Sequence, residues 1–417
     1  MTASTTQLTP QRLVIIGHGM AAQRLLQSLV AEPAQPWAIT VIGEEPETAY
    51  NRILLSPLLA GEADSSSLPL CDQHWYQQHQ IHCISGDPVT AIDPQAQQVS
   101  TASGQQVGYD RLVLATGSRP ALPPLPGVER PGIQGFRTLE DTRALQLAAR
   151  QGGHALVVGG GFLGLEAAEG LRKQGMQVTL LHRSSHLLNR QLDATAGQLL
   201  AETLQARGLN LRLETQVAGF HGKDAHRESP VAAVELTSGE TLAADLVVIA
   251  TGIRPNSELA AAAGLVCDRA VVVDQTLTTS NPHIHALGEC CQFHEHTFGL
   301  VDPVNQQADV LAAHLLGQPA HYHLSEQATR LKISGIELFS CGQVVPAEGT
   351  ESITYYDREQ QEYRHLLLRD NRLVGAVLYG DARTGPWLFR QLRQGADLTP
   401  WRELLVFGEA HCGAAAA

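Results

Sequence analysis

Four consecutive apolar residues, 13–16, run straight into Gly17-His18-Gly19-Met20-Ala21-Ala22, and a helical spacing of apolar positions follows over 21–30. An unbroken apolar run closed by glycine predicts a strand buried on both faces, and the spacing after it predicts a helix. A second strand is predicted over 37–42, ending at Gly43-Glu44-Glu45. Residues 89–93 and the alternating stretch 98–107 predict a small meander that leads into a buried strand over 109–114, closed by Ala115-Thr116-Gly117. The same pattern then begins again. Apolar residues 155–158 enter Gly159-Gly160-Gly161-Phe162-Leu163-Gly164, with a helix predicted over 165–174 and a strand over 178–181. Further buried strands end at Ala250-Thr251-Gly252 and at Gly288-Glu289. From about 321 the glycine turns stop, and 353–357, 362–369 and 372–379 read as antiparallel strands, with Asp370-Asn371 as a hairpin turn and a helix over 386–394.

A strand that passes through a glycine turn into a helix is a cradle for a dinucleotide. The first glycine permits the tight turn, the second lets backbone amides approach a pyrophosphate, and a small third residue keeps helix and strand close. Gly17, Gly19 and Ala22 fill these roles in the first cradle, and Gly159, Gly161 and Gly164 repeat them in the second. One such match is weak evidence, but a repeat in context implies two nucleotides. An acid at the end of the second strand accepts hydrogen bonds from ribose hydroxyls, and Glu44 stands there. Arg52 has the fork geometry to bind a phosphate, or it is a surface arginine. Thr116 and Gly117, and Gly252 in the second copy, are small residues that let the chain pass close to a ligand.

The 417 residues exceed what one core organises, so two or three domains are expected. A net charge of −13 supplies no general attraction for nucleic acid or anionic membrane, and no apolar run approaches a membrane span. Residues 1–10 are polar and do not resemble a secretory signal, and the 414–417 tail carries no signal. Seven scattered cysteines form no framework and suit thiols in a reducing cytoplasm.

The order of two cradles, two Ala-Thr-Gly strands and a last strand ending in glycine and acid resembles the two-dinucleotide-binding flavoproteins, the pyridine nucleotide-dependent FAD oxidoreductases. Tyr50-Asn51-Arg52-Ile53-Leu54-Leu55-Ser56-Pro57, 159–169, Asn189-Arg190-Gln191-Leu192-Asp193, 284–290 and Phe298-Gly299-Leu300-Val301 narrow the match. They look like the FAD-containing amino-terminal module of assimilatory NAD(P)H nitrite reductase large subunits, itself rubredoxin/ferredoxin reductase-like, over nearly the whole chain. The resemblance implies an α/β fold with two Rossmann-like domains of glutathione reductase type and a small α+β carboxy-terminal domain. The FAD domain would occupy 1–120 and 245–320, the NAD(P)H domain 121–244, and an interface domain 321–417.

By the same resemblance, Gly17, Gly19, Ala21, Glu44, Arg52, Val89 and Arg137 fall at FAD-contact positions. Glu289, after Gly288, does too, where relatives often carry Asp. Gly159, Gly161, Gly164 and Glu166 fall at nicotinamide-nucleotide positions, with Glu166 placed to position the nicotinamide. Two departures matter. Related ferredoxin reductases carry a lysine beside the flavin where this chain has Pro57. His182 and Arg183 stand where an acid would favour NADH, and Arg183 has the charge to pair with a 2′-phosphate. NADH is expected from the relatives, and NADPH stays open.

Neither a redox cysteine pair nor a single cysteine after the second strand is present, since Leu55 and Ser56 occupy that place. Cys290 and Cys291 are adjacent and read as buried inert thiols. No metal site is expected from His283, His285, Cys290, Cys291, His294 and His296, nor from His321 and His323, and no iron–sulfur spacing occurs. These readings converge on an FAD-dependent reductase that takes hydride from NADH and passes electrons to an external metalloprotein. An assimilatory nitrate or nitrite reductase is the leading acceptor and a rubredoxin or ferredoxin the second; a homodimer is compatible with both. The alternatives are an NADH oxidase or peroxidase, disfavoured by the missing thiol, and a non-catalytic redox sensor that binds both nucleotides.

Overall fold

The computed structural model describes residues 10–412 apart from Ala34, Ala225 and Ser334; most of the polar amino-terminal stretch and the alanine tail lie outside the described residues. The contacts divide the chain into two units. Unit 1 holds the described residues up to Leu55, Ala63–Arg119 and Ile253–Leu324, and unit 2 holds Ser56–Glu62, Pro120–Gly252 and the described residues from Ser325 on.

Unit 1 is built on a five-stranded parallel sheet in the spatial order Ile284–Ala286, Arg111–Leu114, Gln11–Ile16, Trp37–Gly43, His82–Ser85. Leu13, Ile15, Val41, Leu112, Val113 and Ile284 are wholly buried, as expected where helices cover both faces of a parallel sheet. The helices Met20–Val30 and Val301–Leu315 contribute Leu25, Leu26, Leu29, Ala308 and Leu311 to the same core. A three-stranded antiparallel meander, Val89–Asp93, Gln98–Thr101 and Gln106–Gly108, is appended.

Unit 2 repeats the plan. Its parallel sheet runs Asn210–Arg212, Gln177–Leu181, His154–Val158, Leu246–Ile249, Ile133–Gln134. The sequence-based boundary at 244/245 is corrected here. The strand Leu246–Ile249 pairs in parallel with His154–Val158, so it belongs to the second sheet, and unit 2 runs on to Gly252. An Ala-Thr-Gly strand reads alike in either sheet, and only its pairing partner decides. Unit 2 also carries an antiparallel sheet in the order Ala328–Ile333, Ile336–Gly342, Arg372–Tyr379, Glu362–Arg369, Glu351–Asp357. Asp370 and Asn371 turn its hairpin at φ +50° and +57°, the left-handed pair that a two-residue hairpin requires.

In both parallel sheets the order of strands reverses beside the first strand of the cradle. Such a switch point opens a crevice at the carboxyl ends of the strands.

Candidate functional site

In unit 1, Gly17 sits at φ +102°, and a Cβ there would lie 2.2 Å from the Ala115 carbonyl oxygen. The turn therefore crosses directly over the end of the neighbouring strand at the switch point, an approach open only to glycine. Gly19 behaves differently. A Cβ at Gly19 would meet nothing within 4 Å, so its missing side chain leaves open space in front of the helix Met20–Val30 that it caps. That helix has no side-chain cap and no acid in its first turn. Its first amides are thus left for a ligand or solvent, and they carry the positive end of the helix dipole.

The second cradle reproduces this arrangement. Gly159, at φ +125°, would place a Cβ 2.3 Å from the Ala250 carbonyl oxygen, whereas Gly161 faces open space at the start of the helix Phe162–Lys173. This helix also lacks a cap and an early acid. By contrast, the helices Leu139–Gln151 and Ala194–Ala206 of the same unit are capped by Thr138 and Asp193. A Cβ on Gly164 would come within 1.9 Å of the Gly159 carbonyl oxygen, while Ala22, at the matching place in unit 1, is fully buried with its methyl group accommodated.

Around the first cradle the structure gathers most of the expected residues. Glu44 is exposed at the end of Trp37–Gly43, beside Glu45, which accepts from Tyr50 Oη at 2.6 Å and pairs with Arg52. The Arg52 guanidinium also stacks 5.0 Å over the Tyr50 ring. Val89 opens the meander two residues after Asp87, whose amide donates to the Gly43 carbonyl at 3.2 Å. Thr116 and Asn256 are stapled by two hydrogen bonds of 2.8 Å, which fix the Ala-Thr-Gly turn. Gly288, at φ +84°, passes close to Ala21, and its amide donates to Gln307 Oε1 at 2.8 Å. Glu289 accepts from Ser118 Oγ at 2.8 Å. Arg137 belongs to unit 2, where its amide donates to Asp141 Oδ2 at 2.9 Å just before a helix.

In unit 2, Glu166 accepts from Ser56 Oγ at 2.6 Å. Burial pushes the Glu166 carboxyl above its ordinary pKa, against the opposing effect of the Ser56 hydrogen bond. His182 and Arg183 follow the strand Gln177–Leu181 but part company. Arg183 is exposed, whereas His182 is buried and accepts from the Gly160 amide through Nδ1 at 3.1 Å. Burial holds its pKa below the usual histidine value, so it supports the cradle as a neutral ring. Gly252, at φ +133°, faces open space, and its carbonyl accepts from Ala121.

Sequence reading missed Ser118, Asn256 and Gln307, which hold expected residues in place, and the internal role of His182. Asn256 carries a local signal, because it ends the Ile-Arg-Pro-Asn run that follows the second Ala-Thr-Gly.

All seven cysteines are free thiols. Burial raises Cys83 to about 11 and Cys341 to about 12, and lifts Cys290 and Cys291 as well. The histidines near 290 are dispersed. His283 bonds to Arg111, while His285 is buried against Thr278 and burial holds it down at about 3. Among the described residues no cluster of His, Cys, Asp and Glu forms a metal site.

Residues 11–313 match the pyridine nucleotide-disulphide oxidoreductase family. The chain belongs to that family. Its cofactors are FAD and NAD(P)H, and the two uncapped glycine cradles fit two dinucleotides. Residues 328–396 match the rubredoxin NAD+ reductase carboxy-terminal domain. The chain is 39% identical over 397 residues to nitrite reductase [NAD(P)H] of Bacillus subtilis (strain 168), covering 95% of this chain and 49% of the relative. It is 38% identical over 397 residues to the assimilatory nitrate reductase electron transfer subunit of the same organism, covering 95% and 51%. The chain thus spans about half the length of these relatives. It also resembles a solved chain from the covalent putidaredoxin reductase–putidaredoxin complex, with a TM-score of 0.82, 28% identity, and coverage of 97% of this chain and 100% of that one.

Proposed function

We propose that this chain is an FAD-dependent NAD(P)H oxidoreductase that takes hydride from NADH and delivers electrons to an external metalloprotein, with an assimilatory nitrate or nitrite reductase as the leading acceptor. The observation that carries the reading is the pair of glycine cradles combined with the lack of any disulfide among seven free cysteines. Bound FAD would supply the hydride acceptance and the release of electrons. The chain's own residues bind and orient. Gly17, Gly19, Ala21, Ala22, Glu44, Arg52, Val89, Thr116, Gly117, Arg137, Gly288 and Glu289 are assigned to FAD, the first cradle receiving its pyrophosphate and Glu44 a ribose. Gly159, Gly161, Gly164, Glu166, Arg183 and Gly252 are assigned to the nicotinamide nucleotide, with Glu166 positioning the nicotinamide.

The acceptor assignment is supported by the similarity to the nitrate reductase electron transfer subunit. A rubredoxin or ferredoxin is the second reading, favoured by the match of residues 328–396. The seven free cysteines support a cytoplasmic location, and among the described residues no helix is long and apolar enough to cross a membrane. A homodimer is proposed with the same reading, and light scattering would test it.

The deciding experiment mixes the FAD-loaded chain with NADH anaerobically and then adds a nitrite reductase, a nitrate reductase, a rubredoxin or oxygen in separate runs. Bleaching of the flavin followed by rapid reoxidation by a metalloprotein is expected. No bleaching with NADH or NADPH removes the enzyme reading and leaves a sensor. Reoxidation by oxygen as fast as by any metalloprotein would favour an oxidase.

A further inference from the structure

The motif Asn189-Arg190-Gln191-Leu192-Asp193 takes no part in the cradle chemistry above, yet it supports the second cradle from behind. Leu188, buried at φ +52°, donates its amide to the Gly160 carbonyl at 3.0 Å. A leucine in the left-handed region persists only where its surroundings over-determine it. Here the turn is closed by the amides of Gln191 and Leu192, which donate to the Leu188 carbonyl at 2.7 and 2.9 Å. Asp193 follows directly, nine-tenths buried. Its Oδ1 caps the helix Ala194–Ala206 at the Ala196 amide, 3.3 Å away, and its Oδ2 accepts from Tyr363 Oη at 2.6 Å, with His365 Nδ1 3.3 Å from the same oxygen. Tyr363 and His365 stand on the strand Glu362–Arg369 of the antiparallel sheet.

We propose that Tyr363 is a positioning residue for the nicotinamide dinucleotide: its hydroxyl fixes Asp193, and Asp193 holds the strained 188–192 turn whose amide grips the carbonyl of Gly160. The proposal rests on reading the second cradle as the NAD(P)H site. Gly160 is wedged between this turn and His182, since a Cβ on it would meet His182 Cγ at 2.7 Å and Leu187 Cδ2 at 2.8 Å. A turn that loses its anchor therefore lets the cradle adopt arrangements that do not bind. Apparent affinity falls by the fraction of molecules that remain competent, while the competent complex reacts as before.

The same sheet supplies an internal control. Tyr379 Oη lies 2.6 Å from Thr203 Oγ1 and donates to the Leu199 carbonyl at 3.3 Å, anchoring the same helix further along with no bond to the turn. In the full FAD-loaded chain, Tyr363→Phe is expected to raise the KM for NADH about fivefold or more, as loss of a hydrogen bond to a buried charge would allow. The kcat at saturating NADH and the FAD content stay unchanged. Tyr379→Phe lowers the melting temperature without moving KM. Asp193→Ser, which keeps a cap oxygen but cannot reach Tyr363, reproduces the KM effect, and Asp193→Asn restores most of the affinity. A KM for Tyr363→Phe within twofold of the parent, or equal KM shifts in the two tyrosine variants, overturns the proposal. A parent enzyme whose flavin neither NADH nor NADPH bleaches fails at the earlier step and overturns the functional reading itself.

Discussion

Replacing Gly17 and Gly19 separately with alanine should separate folding from cofactor binding, because the two glycines of one turn are required for different reasons. At Gly17 the new methyl would lie 2.2 Å from the Ala115 carbonyl oxygen and 2.6 Å from its carbon, both backbone atoms that cannot step aside cheaply, at φ +102°. The disfavoured backbone region costs about 1–2 kcal/mol and the forced displacement of a packed strand end about 1–3 kcal/mol more, so about 2–5 kcal/mol of stability is lost. That is a large part of the roughly 5–15 kcal/mol a domain possesses. At Gly19 a methyl meets no protein atom within 4 Å, in extended backbone at φ −98°. The weaker helix cap and the stiffer unfolded chain nearly cancel, leaving the apoprotein within about 1 kcal/mol of the parent. The methyl instead fills the space before the helix amides. Loss of two amide hydrogen bonds to a pyrophosphate, at about 1.5 kcal/mol each, weakens FAD binding about a hundredfold. The assay is denaturant unfolding of the two apoproteins beside FAD titration followed by flavin fluorescence. A Gly19→Ala protein that holds FAD within threefold of the parent would refute the placement of the pyrophosphate at this helix.

Three further outcomes are expected. Because burial raises the Glu166 pKa, the folded state holds its proton more tightly than the unfolded one. Stability contributed by the protonated form is therefore full below the unfolded value of about 4.5 and declines as pH rises towards the folded value. Glu166→Gln should accordingly raise the melting temperature of the apoprotein at neutral pH, by a margin that vanishes in acid; a margin independent of pH would contradict this. Arg183→Glu should lower kcat/KM for NADPH about tenfold or more while leaving NADH within threefold, and equal losses would show that the exposed arginine does not read the 2′-phosphate. Iodoacetamide at neutral pH should leave NADH-driven flavin bleaching intact, since burial keeps Cys290 and Cys291 protonated; inactivation protected by NADH would bring a thiol back into the reaction.

The central strands of both parallel sheets were legible in the chain because strands buried on both faces must be continuously apolar, and the glycine turns mark where they end, whereas the short outer strands His82–Ser85, Asn210–Arg212 and Ile133–Gln134 carry no such run and were not predicted. The three carboxy-terminal strands were legible as short runs rich in apolar and aromatic residues, with Asp370-Asn371 supplying the left-handed hairpin turn between two of them. The strands Ala328–Ile333 and Ile336–Gly342 escaped notice, although they complete that sheet. The inward turn of His182 was not legible in the sequence. Position after a strand predicts proximity to a nucleotide, but burial decided that its ring turns inward to accept from the Gly160 amide, leaving the neighbouring Arg183 outside.

The contrast between the two cradles at their third small residue shows how far such a pattern can be taken. Gly17 and Gly159 cross their neighbouring strands at almost the same separation, 2.2 and 2.3 Å from a Cβ position to a carbonyl oxygen, so the switch points are built alike. The helices that follow are not. The second comes so near its own turn that a methyl on Gly164 would overlap the Gly159 carbonyl at 1.9 Å, whereas the first leaves room for the buried methyl of Ala22. The difference lies in how closely each helix packs on its own turn, while the open space before Gly19 and Gly161 is common to both. A shared motif therefore predicts what both sites must do, which is to present bare helix amides to a pyrophosphate. It does not predict which dinucleotide each one takes. Beyond the turns the two sites differ in what they expose: Glu44 stands at the end of one second strand and Arg183 at the end of the other.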